Sequence, residues 1–284
     1  MQTKIGSSKC TDRSVQRWMF WLFLSLSAIV SLATLAGCAS STESGPGGAK
    51  GDIVTQSDEP DSRKRARIRL ELAVGYFEQG QTTIALDELK QSISADPNFS
   101  EAYSLRGLIY MRLGDPRLAE DSFRRALAIS PRDPDVLHNY GWMLCQQGRY
   151  AESQQAIAQA IANPLYGGRA KSWMAQGLCQ LKAGQSAEAE QSLLRAYELD
   201  AGNPVTGYNL ANVMFLRGET VRAQFYVRRL NNSEYANAES LWLGIKIERK
   251  LGNRDVVQQL ATQLRKRFVQ SRELAAFDRG AFDE

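Results

Sequence analysis

A glycine that returns at a fixed interval constrains this chain more than any other feature. Gly80, Gly114, Gly148, Gly184, Gly218 and Gly252 are separated by 34, 34, 36, 34 and 34 residues. A permissive residue recurring at one spacing marks the turn of a supersecondary unit copied along the chain, each copy burying its apolar face against the next. Ala73, Gly107, Gly141, Gly177, Ala211 and Gly244 repeat the pattern as small residues upstream of each turn. Pro97, Pro131 and Pro164, with Asn203-Pro204 after the fourth unit, stand where a second helix has to stop.

Thirty-four residues is the tetratricopeptide (TPR) period, a helix-turn-helix hairpin. In the second unit Tyr103, Gly107, Tyr110, Gly114, Ala119, Phe123, Ala126 and Pro131 carry the pattern. The small Gly107 and Ala119 let the hairpin's helices approach, and Tyr103, Tyr110 and Phe123 fill the space toward neighbouring hairpins. Ala and Leu run throughout, with few of the Val, Ile and Thr runs that mark strands. The expected fold is all-α, a right-handed TPR solenoid of six helix-turn-helix repeats over residues 63–284. The repeats lie near 66–99, 100–133, 134–167, 170–203, 204–237 and 237–269. The two-residue excess falls in the turn from Asn163 to Gly168, and the helix carrying Arg265, Lys266 and Arg267 has the solvated look of a cap.

The N-terminus has the character of an address. Residues 1–17 carry Lys4, Lys9, Arg13 and Arg17 against Asp12, an uncharged apolar run follows from Trp18 to Leu35, and Leu35-Ala36-Gly37-Cys38 closes it. A basic region, an apolar segment and small residues before a cysteine make a lipoprotein signal peptide over 1–37, with Cys38 as the lipid attachment. An uncleaved transmembrane anchor is the alternative, the run being just long enough at roughly 18 residues. Residues 38–62, rich in Ser, Gly, Pro and Asp, cannot bury enough surface to order themselves and form a lipidated, flexible tether. Ala39 and Ser40 follow the cysteine, without the Asp that often retains bacterial lipoproteins in the inner membrane. The expected location is the outer membrane, lipid-anchored and facing the periplasm.

Of the net charge of +4, three units sit in the first 37 residues, so the repeats lack the basic stripe that nucleic acid requires. His138, a single histidine, excludes a two-histidine metal site, and neither GxSxG nor GxxxxGK[ST] occurs. His138 and Cys145 lie seven apart on one helix, about 10.5 Å along its axis, too far for a nucleophile and its base. The expectation is no catalysis, no metal, no small-molecule substrate and no cofactor beyond the covalent lipid on Cys38. Cys145 and Cys179, on the first helices of adjacent repeats in an oxidising compartment, either form a disulfide or pack as thiols.

TPR hairpins line their concave face with first helices, which proposes a partner-binding groove. Its residues are Leu70, Val74 and Phe77 in the first repeat, Leu108 and Met111 in the second, His138, Asn139 and Trp142 in the third, and Tyr208 and Asn209 in the fifth. The groove is apolar, with asparagines able to hold a peptide backbone, and lacks inward Lys and Arg to clamp a carboxylate terminus. Ordinary interhelix packing is the competing reading for each apolar member.

Two stretches are more specific than the repeat signature: Asn139-Tyr140-Gly141-Trp142-Met143-Leu144-Cys145-Gln146-Gln147-Gly148-Arg149-Tyr150, and Leu241-Trp242-Leu243-Gly244-Ile245-Lys246-Ile247-Glu248-Arg249. With the lipobox and six repeats over nearly all of the exported chain, they make the sequence resemble the PilF/PilW lipoproteins of type IV pilus biogenesis. The resemblance implies a pilotin, which binds secretin subunits and promotes their outer-membrane targeting and multimerisation. The long tether and 17-residue basic region depart from compact members. Two other designs share this outline: a TPR scaffold lipoprotein of outer-membrane barrel assembly, and an adaptor presenting substrates to a periplasmic peptidase.

Overall fold

The computed structural model describes residues 58–282. The signal peptide, Cys38 and the tether up to residue 57 lie outside the described residues. The described residues hold thirteen helices and no strand: α1 Asp61–Glu78, α2 Thr82–Ala95, α3 Ser100–Leu113, α4 Pro116–Ile129, α5 Pro134–Gln146, α6 Tyr150–Ile161, α7 Arg169–Lys182, α8 Ser186–Leu199, α9 Pro204–Leu216, α10 Thr220–Asn231, α11 Ala238–Lys250, α12 Arg254–Arg267 and α13 Arg272–Arg279. Twelve of them pair into six consecutive hairpins, each packed on the next, in an all-α TPR solenoid.

The turns explain the period. All six recurring glycines adopt left-handed backbone, with φ between 75° and 83°. The residue after each glycine donates its N–H to a carbonyl five residues back: Gln81 to Tyr76, Asp115 to Tyr110, Arg149 to Leu144, Gln185 to Gln180, Glu219 to Met214 and Asn253 to Glu248. That bond closes the end of each first helix, and a side chain at the glycine would strain the backbone that makes it. The next helix starts on its own signal. Asp133 and Asn203 each precede a proline and accept two backbone N–H groups through their side chains, and Asp115, also before a proline, accepts from Leu118.

Packing within a hairpin depends on the small residue seven positions before the turn glycine. A Cβ added at Gly107 would stand 2.7 Å from the Phe123 ring, at Gly141 2.6 Å from Ile157, and at Gly177 2.7 Å from Leu193. Phe123, Ile157 and Leu193 are all fully buried, so the large residue of the second helix presses against the bare backbone of the first.

Three expectations are corrected. The helical array begins at Asp61, so residues 61–62 belong to α1 and not to the tether, and the first repeat starts before residue 66. Gly244 stands eight residues before Gly252, not seven, and Ile245 occupies the position matching Gly177. The cap is not α12 alone. Beyond it α13 packs on α11 and α12, its Leu274 and Phe277 joined by Phe282 against Trp242, so the end of the array is sealed by apolar contact as well as by charge.

Gly107→Leu is expected to lower unfolding stability by about 1–3 kcal/mol through overpacking against Phe123. Urea or thermal unfolding reads the change, and an unaltered midpoint would mean the two helices do not meet at this residue.

Candidate functional site

First helices of neighbouring hairpins touch at four of the five steps, α1 on α3, α3 on α5, α5 on α7 and α9 on α11, and form an inner layer. Residues three, six, nine or ten positions before each turn glycine recur along that layer, and the proposed groove residues all fall there. Val74 is exposed. Leu70 and Phe77 are half-buried against the first core cluster, Leu108 and Met111 against the second hairpin's cluster, and Tyr208 against that of α9 and α10. Trp142 rests on Ile157, Ile161 and Ala175. The two asparagines are partly engaged: Asn139 Nδ2 donates to Ser104 Oγ at 3.4 Å, and Asn209 Nδ2 to the Val205 carbonyl at 2.8 Å. Half-burial suits an anchor, because a side chain fixed by its base presents its edge with little entropy left to lose.

His138 does not line the groove. It is 4% exposed, with Nδ1 2.9 Å from Ser172 Oγ on α7. Burial and, secondarily, the charge of Lys171 lower its pKa to about 4 against the weaker pull of Asp135. It packs as a neutral ring. Beside it, Tyr166 folds in from the irregular turn and donates to Asp135 Oδ1 at 3.0 Å. Burial followed by the Asp135 charge pushes the phenol up to about 12. Ser172, Tyr166 and Asp135 give no spacing signal and were not legible in the sequence.

Cys145 and Cys179 are joined in a disulfide, their Cα atoms 5.7 Å apart. The bond staples α5 to α7 across the one step where the period is 36. It also removes Cys145 as a nucleophile for His138. Among the described residues no group of His, Cys, Asp and Glu is arranged to hold a metal ion, and no helix is long and apolar enough to cross a membrane.

Cations flank this layer at the ends of its helices. Arg112, Lys182 and Lys250, each two residues before the turn glycine of the second, fourth and sixth hairpins, lie over rings of the hairpin before: Phe77 at 5.3 Å, Trp142 at 5.7 Å and Phe215 at 5.3 Å. Arg112 Nη1 also donates to the Phe77 carbonyl at 3.2 Å. A cation over a ring face is attracted by the ring's quadrupole and leaves the edge open to a partner.

Known proteins share this architecture. Tetratricopeptide repeat models match residues 70–134 and 143–204, with a second model over 122–155. The type IV pilus assembly protein PilF of Pseudomonas aeruginosa is 27% identical over 243 residues, covering 86% of this chain and 93% of PilF. A solved P. aeruginosa PilF structure superposes with a TM-score of 0.72 at 27% identity, over 78% of this chain and all of that one. The crystal structure of PilW, described as a widely conserved type IV pilus biogenesis factor, superposes with a TM-score of 0.68 at 31% identity, over 75% of this chain and 97% of that one. The chain belongs to the PilF/PilW-like family of TPR proteins. The match to PilW spans nearly its whole length, so the likeness is not confined to one generic repeat.

The buried histidine gives the site an acid limit. Between pH 6.5 and about 4 the unfolded chain holds a proton that folded His138 refuses. Stability is therefore complete above pH 6.5, falls as pH drops, and levels below about 4, for a loss of roughly 3 kcal/mol at most. Urea unfolding of wild type and His138→Asn across that range checks it. The wild-type excess slope should vanish in the variant, and equal slopes would mean the histidine charges freely in the fold.

Proposed function

We propose that this chain is an outer-membrane lipoprotein of type IV pilus biogenesis, a pilotin that holds secretin subunits in the groove of its first helices and promotes their targeting and multimerisation. The observation that carries this reading is the alignment with PilW and PilF over 97% and 93% of their lengths. The lipobox ending at Cys38 supports the anchor, since several acyl chains on one cysteine hold a protein durably at a bilayer. Lipid and groove then act together. A captured secretin subunit takes the lipoprotein's membrane address, and confinement at the bilayer raises its effective concentration for ring assembly. The array works by holding its cargo and carries out no reaction on it.

Binding energy in such a groove concentrates in a few large anchors, here Phe77 and Trp142, while fully buried Phe123 serves the fold. Phe123→Ala is expected to cost about 3–5 kcal/mol of stability. Phe77→Ala and Trp142→Ala should melt closer to wild type yet capture purified secretin at least tenfold more weakly, about 1.4 kcal/mol, with Asn139→Ala weakening it less. Melting and secretin capture are measured on the same preparations. A binding loss that merely tracks the melting loss would assign these rings to the core, and full capture by a stable Phe77→Ala, Trp142→Ala double variant would place the contact elsewhere.

A further inference from the structure

The backbone bonds at the turns fix which residues correspond from hairpin to hairpin. Comparing equivalent positions exposes one hairpin that lacks something its neighbours have. In the second hairpin, Arg106 of α3 donates from Nε to Ser122 Oγ at 3.0 Å and stacks on Tyr103 at 5.0 Å, with Arg125 of α4 over the same ring at 5.6 Å. In the first, Arg69 reaches Glu88 at the position matching Ser122, at 2.8 Å. In the sixth, Glu248 is fully buried and accepts from Arg228 at 2.6 and 2.9 Å, from Gln224 at 2.8 Å and from Asn253 at 2.6 Å. Burial alone would raise the Glu248 pKa. These donors more than offset it and hold the carboxylate below its ordinary range. The first two hairpins thus place a guanidinium in the seam between their paired helices, and in the sixth one reaches Glu248 from α10 of the hairpin before.

The fourth hairpin has the acceptors and the ring without the guanidinium. Gln176 stands where Arg106 stands, Trp173 where Tyr103 stands, Ser192 where Ser122 stands and Arg195 where Arg125 stands. Gln180 occupies the position of Glu248. Gln180 is 6% exposed, and its Oε1 and that of Gln176 are buried without a hydrogen-bond partner. A buried amide carbonyl left without a donor is costly, so two of them one helical turn apart mark a place suited to a donor that the chain itself does not supply. The two residues line a cavity of about 450 Å³ together with Trp173, Glu188, Ser192 and Arg195. Arg195 is engaged with Glu198 at 2.7 Å, which leaves the Glu188 carboxylate at the rim as the charge available to an incoming cation.

We propose that this flank of the α7–α8 hairpin is a guanidinium-binding site that takes an arginine side chain of a partner protein. With the two amides turned toward the cavity, the planar fork of a guanidinium donates to both glutamine carbonyls while its face rests on the Trp173 ring, as Arg106 rests on Tyr103, and Glu188 supplies the opposite charge. A lysine ammonium, a compact and strongly hydrated point charge, cannot span the two carbonyls in one plane. The site lies apart from the proposed groove residues, none of which line the cavity. It therefore stands or falls independently of the secretin reading.

Methylguanidinium chloride is titrated into the isotope-labelled full chain in detergent, with methylammonium chloride at equal ionic strength as control, and the side-chain amide signals of Gln176 and Gln180 are followed by NMR. Methylguanidinium should shift both signals saturably in the millimolar range, with methylammonium at least fivefold weaker. Gln180→Leu should abolish the shift at Gln176. Gln176→Arg, which installs the residue hairpin two carries, should fold, melt no lower than wild type and abolish the response at Gln180, so the test survives even if Gln180→Leu does not fold. No saturable shift would show that the cavity holds water only. Equal shifts with both ions, or an undiminished response in Gln176→Arg, would equally overturn the assignment.

Discussion

Everything in this array hangs on a backbone turn that only glycine makes without strain. Six left-handed residues, each followed by an N–H that closes the helix behind it, set the phase at which every hairpin begins. In the first five hairpins the residue seven positions upstream is small, because a second-helix side chain such as Phe123 presses against it, and the neighbouring positions are apolar and seat the next hairpin. A solenoid of this kind has no single centre, and its stability is a sum of hairpins and the seams between them.

The one irregular step shows what replaces periodicity when it fails. Two additional residues between the third and fourth hairpins would leave α5 and α7 poorly registered. There the chain carries a disulfide between the two first helices, the buried His138 bonded to Ser172, and Tyr166 folded in onto Asp135. A covalent bond and a small satisfied polar network do in this seam what repeated apolar contacts do in the others. The same seam lies between Trp142 and the fourth hairpin, so its rigidity holds a proposed anchor in place.

How much of this was legible follows from what repeats. The hairpins and their number were readable because each position recurs at one interval, and recurrence averages away local exceptions. Gly244 stands one position off the count from Gly252, yet it is still a place of close approach, since a Cβ there would stand 3.2 Å from Leu260 of the paired helix. Helix α13 was missed because a terminal cap is unique and leaves no period. His138 was placed in the groove on phase alone, although the irregular turn supplies the cover that buries it. The stacking of Arg112, Lys182 and Lys250 was not readable, since a sequence does not show that the preceding hairpin puts a ring beneath each. Gln180 reads as an ordinary surface amide until its burial and its empty carbonyl are seen together.

The central claim is that this family member works through the inner layer of its first helices. Site-specific photo-crosslinking in living bacteria tests it most directly, with a benzophenone amino acid in place of exposed Val74 on α1 or exposed Arg124 on the second helix α4. The account predicts a crosslinked adduct from position 74 containing the pilus secretin and none from position 124. An adduct from position 124 alone, or one from position 74 that never contains the secretin, would contradict it.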